Sequence, residues 1–434
     1  MTGTARIAVT LAIFAAMVAL VVIRPRRWNG AWWTTLAAAA MLALGLVTPH
    51  EAVGSVLAGK NALLFLLSLL ALSHLVGKSG FFDWAAIRCA QVARGDAHAL
   101  YRNAFVVGAI VTAVLSLDTT AVMLTPVLLA LVKRLKIPAA PYVVLCAFVA
   151  NVGSMLLPIS NLTNLLFADA FHQTFAAFAA RMIVPQLVAL VTTYAILRWH
   201  FSRELPSRFG GENLPDPASV VPNYFYFVTC IAVLTAVLVC YFLAPLMGLE
   251  PYVFAFAASA VLAIAGLLAG RVQVRSAMEL SWDLFPFVIG LFIAVQGLEN
   301  LGIVGLSSGW LAEMRPGSPG KLLTAAGATA FASNILNNLP AALIARSVLL
   351  RSHAHMGTVL AALIGADVGP MISPFGSLAT MLALAFARRD GVEVRAGRLM
   401  LLGLWAVPVI VVLTTLTLAL SFALAGGPGL TNPK

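Results

Sequence analysis

The sequence predicts an all-α polytopic membrane protein: about ten transmembrane spans plus two re-entrant hairpins, arranged as two inverted-topology repeats with broken helices. Three observations carry that prediction. Hydrophobic residues make up 61% of the chain and charged residues only 10%, with a mean hydropathy of +0.97. A soluble domain is about half apolar and roughly a quarter charged, so here the bilayer takes the place of water around most side chains. Second, one polar, helix-breaking passage occurs twice: ANVGSMLLPISNLTNL at 150–165 and ADVGPMISPFGSLATM at 366–381. Superposed without gaps, the copies share Ala150/Ala366, Val152/Val368, Gly153/Gly369, Met155/Met371, Pro158/Pro374 and Leu162/Leu378. Third, the Lys and Arg residues divide unequally between alternate loops.

Apolar runs long enough to cross a bilayer lie at about 6–23, 31–49, 61–77, 141–171, 180–200, 224–246, 251–270, 283–300, 356–387 and 398–425. The first is followed by RPRR, not by a small-residue cleavage site, and reads as a retained span. Two further segments, 101–133 and 320–350, are interrupted by LDTT at 117–120 and SNILNN at 333–338. Arms of ~13–15 residues make about 20 Å of helix, short of a ~30 Å core, which predicts re-entrant hairpins. The run 81–96 (FFDWAAIRCAQVARGD) has aromatic and basic faces and reads as a helix on the inner surface. The polar, Pro/Gly-rich stretch 201–223 reads as a cytoplasmic linker between a first repeat, 1–200, and a second, 224–434.

With this layout, loops on one side hold nineteen of the 27 Lys and Arg and those on the other hold eight. The richer side is cytoplasmic by the positive-inside rule, and both termini are extracytoplasmic. Five spans and a hairpin per repeat invert the second copy. The net charge of +11 therefore sets topology and does not call for nucleic acid. Cys89, Cys146, Cys230 and Cys240 are scattered, without CxxC or metal spacing, and read as buried thiols. A thiolate site for a soft metalloid is the less favoured reading.

A polar, helix-breaking passage repeated in the two halves of a membrane chain points to a transporter binding site. Asp118 sits mid-membrane at the first hairpin tip, where a carboxylate is costly unless hydrated, paired or protonated. The plain alternative is a helix cap. Asp367 lies just before the second break, and its repeat mate is the neutral Asn151. That asymmetry suits a single proton site, so Asp118 and Asp367 are the proton-coupling candidates. The first break adds Ser160, Asn161, Thr163 and Asn164, and the second adds Ser373, Gly376, Ser377 and Thr380. The hairpins add Thr119, Thr120, Ser333, Asn334, Asn337 and Asn338. Singly, such residues glue helices together. Clustered at equivalent places where helices unwind, they predict a substrate and ion site. His74 and His172 read as interfacial, Asp169 as near the outer mouth, and Asp283 and Glu299 as caps of one span. No Walker motif, GxSxG, HExxH or GxGxxG in a βα context appears. The reading is a non-enzyme without cofactor or resident metal, driven by an ion gradient or by a separate ATPase subunit.

At these residues the chain resembles the ion transporter superfamily, and most closely the ArsB-type arsenite/antimonite efflux permeases. The resemblance lies in SLDTTAVMLTPVLLAL (116–131), ANVGSMLLPISNLTNLL (150–166), FASNILNNLPAALIA (331–345) and IGADVGPMISPFGSLATMLAL (364–384). It implies a proton-coupled exporter of arsenite and antimonite as neutral trihydroxides in the cytoplasmic (inner) membrane. It implies an elevator-type or related alternating-access fold, with Asp118, Asn161, Asn334, Asn337, Asn338 and Asp367 lining the site. A coupling ion (H⁺ or Na⁺), an arsenical ATPase subunit and a homodimer are the partners it suggests. The first hairpin departs from the family, with Leu-Asp-Thr-Thr in place of Ala-Asn-Asp-Gly. It resembles there the superfamily's sodium/proton antiporters, so Na⁺/H⁺ antiport or sodium-coupled anion import are the alternatives.

Overall fold

The computed structural model describes residues 3–23, 29–210, 214–302, 314–315 and 317–424. Within them the regular structure is helical, apart from an isolated bridge between Asp96 and Arg208. The chain is an all-α polytopic membrane protein. Seven of the described helices are long and apolar enough to cross a membrane: Gly3–Ile23, Lys60–Gly77, Ala97–Val114, Phe175–Phe201, Tyr224–Met247, Pro251–Leu268 and Ala396–Leu424. The other expected spans are shorter, as in Gly30–Ala43 and Leu284–Glu299, or are broken.

Both breaks have the same anatomy. Ala140–Val152 gives way at Gly153 to the 3-10 turns Gly153–Met155 and Pro158–Ser160, then restarts as Leu162–Ala170. Met356–Val368 gives way at Gly369 to Gly369–Ile372, then restarts as Leu378–Arg389. At the second break Pro370 stops the helix because it lacks an N–H and crowds the preceding turn, whereas the first helix ends at Gly153, ahead of Pro158. A polar cap restarts it: Asn161 Oδ1 accepts from Thr163 N at 3.3 Å, and Ser377 Oγ accepts from Thr380 N at 3.1 Å.

The hairpins correct the sequence reading. Their first arms, Ala97–Val114 and Pro319–Leu336, have 18 residues each, about 27 Å of helix and longer than expected. The first begins earlier than expected, in polar sequence that hydropathy leaves out, while the second begins where expected and runs on through the polar SNIL at 333–336; Asp96 caps the first arm, accepting from His98 N at 2.8 Å, and Ser318 caps the second. The first tip turns at Leu115 and Ser116 and returns through Leu117–Thr119, a π-helical turn Thr120–Leu124, and Thr125–Arg134. Ser116, not Asp118, is the cap there, its Oγ accepting from Thr119 N at 3.1 Å. The second tip reverses at Asn337 alone and returns as Asn338–Arg351.

Packing pairs the halves by exchange. The first half of each broken helix lies against the restart of the other, and each restart packs on the returning arm of the opposite hairpin. Leu284–Glu299 packs on Gly30–Ala43, as Lys60–Gly77 packs on Pro251–Leu268. Hairpins, breaks and the closing helices Phe175–Phe201 and Ala396–Leu424 share the largest apolar core. Small residues let the backbones meet there: a Cβ on Gly365 would lie 2.1 Å from the Ala326 carbonyl oxygen. The linker is not loose, since Phe209 N donates to Gly95 O at 2.8 Å and Leu205 and Phe209 are buried. Helix Phe81–Ala93 buries its alanine face and packs against Ala97–Val114, so it is more than a surface helix.

Candidate functional site

Asp367 occupies the last turn of Met356–Val368 and is fully buried. Its Oδ1 accepts from Asn161 Nδ2 at 2.9 Å and from Thr163 Oγ1 at 2.7 Å. Its Oδ2 is buried without a partner among the described residues. Asn151 stands at the matching place in Ala140–Val152. Its Nδ2 donates to Ala147 O at 2.8 Å and to Thr380 Oγ1 at 3.1 Å, while its Oδ1 is likewise buried and unpartnered. Each half of the chain therefore sends one polar side chain across to the restarted helix of the other. A buried polar atom left without a hydrogen bond costs about 1–3 kcal/mol, so these two oxygens mark places where a proton or a solute gains a contact.

Asp118 is half-buried, and its carboxylate makes no hydrogen bond or ion pair among the described residues. It projects into a cavity of about 1080 Å³. Thr119 and Asn161 also line this cavity, opposite Ser73 and His74 of Lys60–Gly77 and beside Pro374 and Phe375. The mouth carries Glu279, Asp283, Arg388 and Arg389. Lys78 Nζ meets Glu279 at 2.7 Å and holds its carboxyl below the ordinary 4.5. Asp283 takes a hydrogen bond from Asn29 and does not cap its helix by a side-chain bond, contrary to the expected role. Glu299 accepts from Ser347.

Of the remaining sequence-predicted residues, most are spent on holding the breaks. Thr119 donates to Ser73 Oγ at 2.8 Å, and Thr120 meets Thr112 Oγ1 at 2.7 Å. Ser160 donates to Ala113 O at 2.7 Å, Asn164 to Ser154 O at 2.6 Å, and Ser333 to Thr329 O of its own helix at 2.8 Å. The second hairpin tip is stitched to the unwound segment. Asn334 Nδ2 donates to Gly369 O at 2.7 Å while its Oδ1 accepts from Ser373 N at 3.0 Å. Asn337 Nδ2 donates to Phe375 O at 3.0 Å, and Asn338 N donates to Gly376 O at 2.8 Å. Gly376 is needed where it stands, since a Cβ would lie 2.2 Å from the Pro370 carbonyl oxygen. Ser377 joins Thr380 at 3.1 Å. Thus Asp118, Thr119 and Asn161 face the cavity, Asp367 reaches it through Asn161, and the others shape it. Thr163 and Thr380 prove to be direct partners of the two repeat mates, and Ser73 and Thr112 of the hairpin threonines.

Among the described residues no group of three His, Cys, Asp or Glu could hold a metal ion. Cys89, Cys146 and Cys230 are buried free thiols and Cys240 is half-buried.

The arsenical pump membrane protein family matches residues 8–422. Two arsenical pump membrane proteins of Escherichia coli are 29% and 31% identical over 426 and 430 residues, each alignment covering 95% of this chain and 99% of the relative. The crystal structure of the YdaH transporter of Alcanivorax borkumensis shares the fold, with a TM-score of 0.60 at 17% identity over 88% of this chain and 89% of that one. This chain is a membrane transporter that belongs to the arsenical pump membrane protein family.

Proposed function

We propose that the chain is a proton-coupled efflux permease for arsenite and antimonite in the cytoplasmic membrane. The observation that carries this reading is Asp367, a buried carboxyl whose donors, Asn161 and Thr163, come from the other half of the chain. Ionised, Asp367 accepts two charge-assisted bonds; protonated, it accepts two weaker neutral ones, roughly half as strong. The unpartnered Oδ2 of Asp367 can carry a proton or accept from a solute hydroxyl but not both, and Asn161, which faces the cavity, joins Asp367 to the solute pathway. Loading of proton and release of solute are thereby linked through one side chain. Hydroxyl, amide and apolar groups make up most of the deep wall around the single carboxyl of Asp118, while the charged residues Glu279, Asp283, Arg388 and Arg389 stand at the mouth, which suits a small neutral trihydroxide.

The exchanged packing of the halves supports two inverted repeats, 1–200 and 224–434, joined by the linker 201–223. The Lys and Arg excess of the loops on this side, Arg388 and Arg389 among them, supports a cytoplasmic opening and extracytoplasmic termini. Purified protein in liposomes tests whether an arsenical ATPase subunit is needed, and its mass in solution tests the homodimer.

The deciding experiment is uptake of radiolabelled arsenite into everted vesicles under an imposed proton gradient, with and without sodium. Proton-driven, sodium-independent uptake is expected. One observation favours a second reading, Na⁺/H⁺ exchange: the unpaired Asp118 carboxylate stands in the cavity beside the Thr119 hydroxyl. Absence of metalloid uptake together with a sodium-dependent change in internal pH would establish that reading instead.

A further inference from the structure

A second cavity, of about 400 Å³, continues the line of the first. Span Lys60–Gly77 and the restarted helix Leu162–Ala170 pack together, and both cavities open along this seam. On the span, Asn61 and Phe65 face the second cavity, and the positions from Leu66 to His74 face the first. On the restarted helix, Asn161 and Leu162 face the first, and Ala168 and Asp169 face the second. Leu165 lines both. Two helices thus give the same order independently, and the change-over falls at one layer.

The second cavity has polar equipment of its own. Asn61 Nδ2 donates to Asp169 Oδ1 at 3.1 Å. The Tyr241 ring is fixed against Phe175 at 5.0 Å, and the residue is only 1% exposed. Its hydroxyl nevertheless has no hydrogen-bond partner among the described residues, and Tyr241 lines the cavity. A buried phenol with no partner, on a rigid ring, is placed to exchange a hydrogen bond with a small solute.

We propose that the second cavity is a second binding station on the same pathway, at the opposite face of the membrane, for a small neutral polyhydroxy solute. It is separated from the first by the single layer of Leu165 and Phe65. Tyr241 Oη and the Asn61–Asp169 pair supply its hydrogen bonds. This inference rests on the transporter reading and adds to it where the solute leaves.

Two variants of the full-length protein test it. Leu165→Cys is treated in right-side-out and in everted vesicles with a membrane-impermeant maleimide, with the wild-type protein as the background for its own four cysteines. Labelling from both faces is expected; labelling from one face only overturns the shared partition. Tyr241→Phe keeps the ring and removes the hydroxyl. Its KM for antimonite is expected to rise roughly fivefold at unchanged maximal rate, the worth of one neutral hydrogen bond. An unchanged KM overturns the station. The labelling does not depend on transport. A wild-type protein that moves no metalloid, with Leu165→Cys labelled from both faces, refutes the arsenite reading and leaves the pathway standing. Metalloid transport with one-sided labelling does the reverse.

Discussion

Replacing Asp367 by Asn separates proton coupling from folding. The substitution keeps shape, so Oδ1 retains its donors, Asn161 at 2.9 Å and Thr163 at 2.7 Å. Both bonds fall from charge-assisted to neutral, a loss of about 1 kcal/mol each. The new amide nitrogen replaces the unpartnered Oδ2 and strands two N–H groups, at a further cost of about 1–3 kcal/mol. Against this, the substitution removes the buried charge of the ionised form, which relieves several kcal/mol in order of magnitude relative to that form. The contributions nearly cancel, and Asp367→Asn is expected to reach the membrane at wild-type level. Asp367→Ala, which leaves both donors without an acceptor, is expected to be clearly less stable. For transport, an amide cannot take up a proton. A proton gradient of about one pH unit supports roughly tenfold accumulation in one-for-one exchange. In Asp367→Asn vesicles that accumulation is expected to vanish, while exchange of labelled for unlabelled antimonite continues. The assay is uptake into everted vesicles with and without the gradient. Gradient-driven accumulation by a well-expressed Asp367→Asn protein would refute the assignment and move the proton site to Asp118.

Three further outcomes follow from the geometry. Gly376→Ala drives a Cβ to within 2.2 Å of a backbone oxygen; it is expected to cost about 1–3 kcal/mol, read as a lowered melting temperature in detergent. Asn337 sits at φ +78° and ψ 159°, a region nearly reserved for glycine, with strain of about 1–3 kcal/mol. Asn337→Gly relieves that strain and loses one bond to Phe375, whereas Asn337→Ala loses the bond and keeps the strain; the alanine variant is expected to melt below the glycine variant. Lys78 holds the exposed Glu279 carboxyl below 4.5, so the contact stabilises the fold above that pH. The contribution is lost as pH falls below 4.5 through the depressed folded value. Thermal scans are expected to show the difference between wild type and Glu279→Gln shrinking below about pH 4.5.

The repeat was legible because proline, glycine and asparagine are expensive inside a membrane and stand out against Leu and Ala. The breaks at Pro158 and Pro374 and the restarts after Asn161 and Ser377 could therefore be read directly. The hairpin arms were misjudged in length because hydropathy does not see a helix that runs through polar residues, at the start of Ala97–Val114 and at the end of Pro319–Leu336. Asp118 drew notice as a carboxyl in an apolar run, but its neighbour Ser116 does the capping, which backbone geometry alone reveals. The partnership of Asp367 with Asn161 and Thr163 joins residues more than 200 positions apart. Composition marked both ends of that contact without pairing them. Ser73, a lone hydroxyl in a leucine-rich span, gave no signal until Thr119 was seen beside it.

Asn151 and Asp367 hold the same place in their halves and differ by one atom, nitrogen for oxygen. An internally repeated chain with two identical carboxyls would bring two protons inward for each solute molecule. On the proposed reading, one half-site is kept neutral and Asp367 alone carries the proton. On that reading, exchange of one proton for an uncharged trihydroxide would move one net charge per turnover, so that the voltage across the membrane would drive the cycle along with the pH difference. At about 2.3 kcal/mol per 100 mV, the resting potential alone supports an outward concentration ratio of roughly fifty, even when the pH is equal on both sides.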